Sequence, residues 1–408
     1  MEVLYPRCAG LDVHKDLVVA CVRIAEGQKV ERQSARFGTS TRELLRLLDF
    51  LTSHRVTHVA MESTGVYWKP VWHILAGAFA CVLGNAKHMK NVPGRKSDQS
   101  DASWIADLLA HGLIRPSFVP PEEIQALRDL TRTRTQWMHE RGREVQRIQK
   151  VLEDANIKLA SVLSDITGVS GRKMLTALVN GVTDARKIAK LADRRVKASE
   201  QEITEALEGL VSDHHRFMIS LHLRHVDELD ALIASLESRI DDQLRPFRRI
   251  VDHLVTMPGV KEDAAAAILA EIGVDMSVFP TDGHLVRWST IVPGMNETGG
   301  KKKAARTQRQ RWLKAKMTQC AWAAVKKRDS YLYARYHRIK ARRGKQKAIL
   351  AVAGTMLRAI YHMIEKDVDY QDLGADFFDR RHDSGKTVRR LQRRLEKLGF
   401  AVELRKAA

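Results

Sequence analysis

Four cysteines in 408 residues, at no paired spacing, exclude a disulfide scaffold and a Cys-rich zinc module. Cys8, Cys21, Cys81 and Cys320 read as reduced, mostly buried thiols of a cytoplasmic protein. The 16 histidines are scattered, and the pair His214-His215 has no Cys near it, so no zinc site is expected. Long apolar runs are missing too. The nearest, Ala348 to Ile364, is interrupted by Arg358 and His362 and reads as a packed helix. The first residues lack the basic-then-apolar order of a secretory signal, so no membrane partner is expected. A Walker-type phosphate loop is absent: Gly299-Gly300-Lys301-Lys302-Lys303 lacks the upstream Gly and the Ser or Thr after the lysine. Acid is what the chain is shortest of. Against 49 Asp and Glu stand 69 Lys and Arg, a net charge of +20, which points to a polyanionic partner and first of all to nucleic acid.

The acids that are present fall in a pattern. Asp98 and Asp101 are three apart, and Trp104, Ile105, Leu108 and Leu109 repeat at helical spacing just after them. That spacing predicts both carboxylates in a helix's first turn, on one face, where they repel unless a cation sits between them. First-turn Asp also complements a helix dipole, so this stretch alone decides nothing. Upstream, Cys8 to Ile24 reads as a strand pair broken at His14-Lys15-Asp16, with Asp12 inside the first apolar run, where a charge needs a partner. Thr41 to Ser53 is an amphipathic helix. His58-Val59-Ala60-Met61 is a short strand ending at Glu62, followed by a helix carrying Trp68, Val71, Trp72 and Leu75, then a strand at Cys81-Val82-Leu83. Strands, helix, strand, helix, strand, helix predicts a mixed α/β sheet. One acid on the first strand, one after a later strand and two on a closing helix is the RNase-H-like nuclease plan. Four converging carboxylates can hold two Mg²⁺ ions for phosphodiester chemistry.

From Gln125 the chain turns to long, charged helical sequence. Val226, Leu229, Ile233, Leu236 and Ile240 form a heptad seam of the two-stranded kind, paired within the chain or between chains. Ala160 to Phe217, before it, resembles a helical insert. Leu254 to Val260, with Met257-Pro258-Gly259, leads into the apolar helix Ala264 to Ile272. This is a helix-hairpin-helix pattern, whose turn can offer N–H groups to a DNA phosphate. From Lys301 to Lys316 come eight basic residues and no acid, among them Lys301, Lys302, Lys303, Arg306, Arg309, Arg311 and Lys314. Arg338 to Lys347 is a second basic cluster, with Arg342, Arg343 and Lys345; both are candidate nucleic-acid contacts. The tail from Arg380 is basic again, with a helix expected over Val388 to Leu398. The fold class expected is therefore α/β plus all-α. The parts are an acid-bearing domain over 1–124, a helical coiled-coil region over 125–248, a mainly helical domain over 249–375 and a basic tail over 376–408.

Gly10-Leu11-Asp12-Val13-His14-Lys15, Met61-Glu62-Ser63-Thr64-Gly65 and Lys96-Ser97-Asp98-Gln99-Ser100-Asp101-Ala102 resemble the three acid motifs of the DEDD transposases of the insertion-sequence one-ten family. Met257-Pro258-Gly259-Val260, Leu269-Ala270-Glu271-Ile272-Gly273, Pro293-Gly294-Met295-Asn296-Glu297 and Arg342-Arg343-Gly344-Lys345 agree with the family's C-terminal half. The resemblance implies a RuvC-like N-terminal domain, a coiled-coil middle and a C-terminal transposase domain. It also implies Asp12, Glu62, Asp98 and Asp101 as a Mg²⁺-binding tetrad. The implied partners are target and donor double-stranded DNA and a structured guide RNA, in a homo-oligomer (dimer or tetramer) at the bacterial nucleoid. In the family a serine after Asn-Glu is the nucleophile, forming a covalent link to a DNA 5′ phosphate beside the tetrad of a neighbouring subunit. Here that position is Thr298, which keeps a hydroxyl. The implied activity is DNA cutting and rejoining. The alternative is a transposase-derived nucleic-acid-binding protein, impaired in strand transfer because Thr298 replaces the serine.

Overall fold

Apolar alternation in Arg7–Val13 (β1) and Leu17–Glu26 (β2) builds an antiparallel pair around a tight turn, with His14 N–H donating to the Leu17 carbonyl at 2.8 Å. The computed structural model describes residues 2–27, 29–63, 65–90, 92, 100–292, 295–298, 301–304, 312–380 and 392–403, the side chains of 87, 90, 295–298, 301–304 and 379 excepted. The chain divides into two compact units, Met1–Val119 and Pro120–Ala408.

In the first unit a third strand, Lys29–Gly38 (β3), pairs with β2 along its whole length. It carries mostly exposed polar residues, so it has no apolar rhythm by which the sequence would reveal it. Thr41–Ser53 (α1) starts where the Ser40 hydroxyl accepts from Glu43 N–H, and it buries Leu44, Leu47 and Leu51. Each such leucine contributes roughly 1.5–3 kcal/mol. His58–Glu62 (β4), Trp68–Leu75 (α2), Ala80–Gly84 (β5), Ala86–Lys90 (α3) and Asp101–Ala110 (α4) complete the unit. The sheet order is β3-β2-β1-β4-β5, antiparallel over its first three strands and parallel over β1, β4 and β5. One face packs Leu11, Val18, Val59 and Met61 with the leucines of α1; the other packs Cys8 and Ala60 with Ile105, Leu108 and Leu109 of α4. Two apolar faces, each covered by helix, make this the α/β part of the protein.

The second unit opens with Glu122–Asp154 (α5), whose long partner is Asp213–Leu244 (α10). They run antiparallel: Arg134 donates to Glu237 at 2.8 Å, Arg141 pairs with Asp230, and His215 meets Asp154 at 3.0 Å. The seam Val226, Leu229, Ile233 and Ile240 is buried, with Leu236 half-buried, and α10 packs against α5 of the same chain. Four helices fill the stretch between: Leu159–Val162 (α6), Val169–Val179 (α7), Ala185–Ala189 (α8) and Glu200–Leu207 (α9). Their core includes Met174, Leu175, Leu178 and Ile203 and reaches Ile148 and Leu152 of α5 and Ile219 of α10.

Within this helix pair Glu144 is almost fully buried, accepting from His222 at 2.8 Å and facing His225 at 3.3 Å and Arg147. Burial alone would raise its pKa, but the His222 hydrogen bond and the charges of Arg147 and His225 hold it below the ordinary value of 4.5. A lowered folded-state pKa gives stability that is present above the unfolded value and lost as pH falls through the folded one. The melting temperature of Glu144→Gln is expected to lie below wild type at neutral pH, with the gap constant down to the ordinary carboxyl value of 4.5 and closing as the pH falls below it. A gap that stays constant there too would remove Glu144 as an acid-labile tie.

The remaining elements form a helical bundle. Arg248–Val255 (α11) and Glu262–Ile272 (α12) flank the Met257-Pro258-Gly259 turn, and Asp282–Trp288 (α13) follows. Met295–Thr298 (β6) and Lys301–Ala304 (β7) pair as a hairpin, and Trp312–Ala324 (α14), Tyr331–Arg343 (α15), Lys345–Lys366 (α16) and the short Phe377–Arg380 (α17) close the chain. Gly259 has φ +83°, and a Cβ there would strike the Cys320 carbonyl and come within 2.6 Å of Ala324 N. The glycine of the hairpin pattern thus serves close packing on α14. Among the described residues α16 is the one helix long and apolar enough to cross a membrane, and its Ala348, Ile349, Val352, Met356, Leu357 and Ile360 are the buried centre of this bundle. The helix expected over Val388 to Leu398 begins outside the described residues.

Candidate active site

Register and one close helix–strand contact determine where the acids lie. β1 and β4 pair in parallel as Cys8↔His58, Ala9↔Val59, Gly10↔Ala60 and Leu11↔Met61. One step further along the same register sets Asp12 beside Glu62, both on the face that packs against α4, since Cys8 and Ala60, four and two residues back respectively, face it. Neighbouring strands lie about 4.8 Å apart, so in-register side chains on one face are neighbours. α4 crosses this face antiparallel to β1. Ala110 accepts from Leu4 N–H at 2.8 Å, the Ala106 carbonyl meets the Cys8 thiol at 3.5 Å, and Gly10 lies against Ala102, Ile105 and Ala106. Continued in that direction, the start of α4 comes to the end of the sheet that carries Asp12 and Glu62. Asp101 is its first residue.

Local chemistry holds each group. Asp12, about one-fifth exposed, pairs with His14 Nε2 at 3.1 Å. Glu62 is still in register with Gly84 of β5, and the next N–H, of Ser63, donates to the Gly84 carbonyl at 2.9 Å, which ties the strand end down. Ser100 caps α4 by accepting from Ser103 N–H, so the helix begins at Asp101, and that carboxylate is exposed at the positive end of the helix. Asp98, expected in the same first turn, lies outside the described residues, and its pairing with Asp101 with it. Among the described residues no three His, Cys, Asp or Glu groups stand close enough to share one metal ion. The donor chemistry nevertheless fits a hard divalent cation: three carboxylates at one sheet end and no thiolate, the thiol of the adjacent Cys8 being pushed up to about 12 by burial.

Thr298 is the last residue of β6, in register with Lys301 of β7, in the other unit. Of the basic candidates, Arg342, Arg343 and Lys345 are exposed at the junction of α15 and α16, where Gly344 turns the chain with φ +80°. Lys314 is half-exposed on α14. Lys301, Lys302 and Lys303 lie on β7, their side chains undescribed, and Arg306, Arg309 and Arg311 lie outside the described residues.

Two family models match this chain. Residues 9–157, which hold the whole acid pattern, match the model of the DEDD transposases of IS110, and residues 251–337 match that of the transposase IS116/IS110/IS902 family. Together they span more than half of the sequence. The chain belongs to the IS110 transposase family. No curated protein matches it. As a member of that family it is a DNA transposase, an enzyme that binds and cuts DNA, of a kind that generally uses a divalent metal.

Three residues of the transposase position this site, and nothing in their own chemistry marks them for it in the sequence. Gly10 leaves the space α4 needs: a Cβ there would run into the Ala102 carbonyl and Ala106 N, and lie 2.9 Å from the Ile105 carbonyl carbon. Arg23, in register with Cys8 on β2, is buried and donates through Nε to Asp107 of α4 at 2.9 Å. Arg32 of β3 donates to both Asp107 oxygens, at 2.9 and 3.1 Å. Two guanidiniums on one carboxylate pin α4 to the sheet on the side away from Glu62, with the charge of Arg23 paired as a buried charge must be.

Proposed function

We propose that this transposase cuts and rejoins DNA with Thr298 as nucleophile and Asp12, Glu62, Asp98 and Asp101 as the metal-binding acids of an RNase-H/RuvC-like domain. The observation that carries the reading is the shared sheet end of Asp12, Glu62 and Asp101 in a chain that matches the DEDD transposase model over 9–157. The strand order β3-β2-β1-β4-β5, with acids at the ends of β1 and β4, suits that nuclease plan. Mg²⁺ bound at the four carboxylates would supply charge stabilisation for the attacked phosphate and its leaving oxygen.

The protein's own part is nucleophilic and positional. The Thr298 hydroxyl loses its proton, its oxygen bonds to phosphorus, and the bond to the 3′ oxygen breaks, that oxygen taking up a proton. The 5′ phosphate stays on the protein as an ester, and attack by another 3′ hydroxyl releases Thr298 and rejoins the strand. The basic residues of 301–316, with Arg342, Arg343 and Lys345, hold phosphate backbones of target and donor duplexes and of a structured guide RNA. Thr298 and the acids belong to different units, and in this reading a neighbouring subunit of a dimer or tetramer supplies the acids. The functional parts follow 1–124, 125–248 (the coiled-coil middle), 249–375 and 376–408. The nucleoid is the place of work.

Trapping tests this. Incubation with labelled donor DNA under denaturing quench is expected to give a covalent protein–DNA adduct, lost in Thr298→Ala and retained in Thr298→Ser. The second reading, a binding protein derived from a transposase, is favoured by Thr298 itself, whose extra methyl restricts the rotamer that in-line attack requires. Tight DNA binding without adduct in wild type, with an adduct appearing in Thr298→Ser, would establish it.

A further inference from the structure

A cavity of about 380 Å³ lies between α5, α12 and α14, within the size range of small-molecule sites, and the mechanism above leaves it without a role. One wall is Arg132. The guanidinium donates to both oxygens of the buried Glu271, at 2.7 and 2.9 Å, and stands 5.6 Å from the centre of the Trp312 ring. A bidentate pair fixes the plane of an arginine, so the cavity wall holds a guanidinium set over one face of an indole, a pair of flat groups onto whose outer side an aromatic ring can stack. Thr131 and Thr135 also line it. Their hydroxyls donate back into α5, to the Arg128 carbonyl at 3.2 Å and the Thr131 carbonyl at 2.9 Å, which leaves lone pairs for a donor from outside. Gln319 adds an amide with both donor and acceptor.

We propose that this cavity takes one unpaired nucleobase from a nucleic acid strand bound to the transposase, an inference that rests on the DNA-processing reading above. Stacking surfaces with a few hydrogen-bonding groups of both senses match a base, whose edge carries amines and carbonyls, and an aliphatic peptide side chain would leave those groups unmet. The charge fits as well. Arg128, Arg132 and Glu271 sum to one positive charge, and Lys316, which also lines the cavity, is offset by Asp263 at 3.6 Å. Trp312 opens α14 directly after the run Lys301 to Arg311, six basic residues without an acid, so the cavity wall is next in sequence to a tract suited to phosphate backbones. The base must be unpaired, because one stacked in a duplex cannot enter a space walled by helices.

The test uses the full chain and fluorescence anisotropy with two hairpin oligonucleotides, one carrying a bulged nucleotide and one an abasic residue at that place, in ribose and deoxyribose forms. Wild type is expected to bind the bulged base roughly 5- to 150-fold tighter than the abasic hairpin in at least one sugar form. Trp312→Ala should lose that preference while keeping abasic affinity and its salt dependence, which shows that the variant is folded; Trp312→Phe should retain most of it. Equal binding of both hairpins by wild type, or a preference that survives in both Trp312→Ala and Gln319→Ala, overturns the proposal and leaves DNA processing standing. Failure of wild type to bind either hairpin overturns both.

Discussion

Replacing Gly10 with alanine is expected to expel α4 from the sheet and to cost the N-terminal unit about 3 kcal/mol or more, the upper end of overpacking penalties. The methyl group would occupy space taken by the backbone of Ala102, Ile105 and Ala106. Backbone in the middle of a helix cannot swing aside as a flexible side chain does, so the helix must move as a body. Moving it separates Arg23 and Arg32 from Asp107 and takes Asp101 away from the sheet end. Strand transfer should therefore be lost with stability, although Gly10 contacts no substrate in the mechanism. Gly77→Ala is the control, since a Cβ there meets nothing within 4 Å and stability should stay within about 0.5 kcal/mol of wild type. Urea unfolding followed by a probe in the first unit measures both. An unchanged midpoint for Gly10→Ala would mean that α4 does not lie on β1.

Glu62→Gln is expected to leave the fold intact and to lower strand transfer on the order of 10³-fold, the loss seen when one preorganised electrostatic group is removed from a transition state. Glutamine keeps the volume and the hydrogen-bonding edge, so the strand end, tied through Ser63 to Gly84, should hold its place. What goes is one negative charge of the proposed cation-binding set. DNA affinity should remain, because in the proposed mechanism the phosphates are held by basic tracts outside the acid-bearing unit. Chelation of divalent metal should reduce wild type to the same level and have little further effect on the variant. Asp98→Asn and Asp101→Asn belong to the same series. Recombination of matched target and donor DNA, equal in wild type and Glu62→Gln, would end the four-carboxylate mechanism.

How much of this was legible in the sequence depends on whether the signal was local. β4 was, because His58 to Met61 is an apolar run stopped by an acid and a turn. The seam of α10 was too, since Val226, Leu229, Ile233 and Ile240 repeat at the helix period. β3 was not: Lys29 to Ala35 has no buried side of its own and exists because β2 offers an edge. Nor did periodicity settle where α4 begins. Apolar residues begin only at Ala102 and leave the start open, and it is the hydroxyl of Ser100, accepting the Ser103 N–H, that starts the helix at Asp101. The acids could be singled out as residues, while the approach of the start of α4, with Asp101, to the sheet end of Asp12 and Glu62 depends on Gly10, a position whose meaning lies entirely in what approaches it from 92 residues further along. Likewise the heptad seam announced a partner helix without saying which; the ion pairs from Arg134 to Glu237 and Arg141 to Asp230 identify α5.

That long helix pair has a mechanical meaning. Arg132 near one end of α5 is bonded to the C-terminal bundle through Glu271, and Leu152 near the other is part of the core of α6 to α9. Twenty residues of helix at 1.5 Å each set these two bodies about 30 Å apart. Along B-form DNA that length is roughly nine base pairs, most of one turn. The α5–α10 pair is thus a strut of set span, and a nucleic acid touched at both ends would be measured by it, the distance between contacts being written into the number of helical turns.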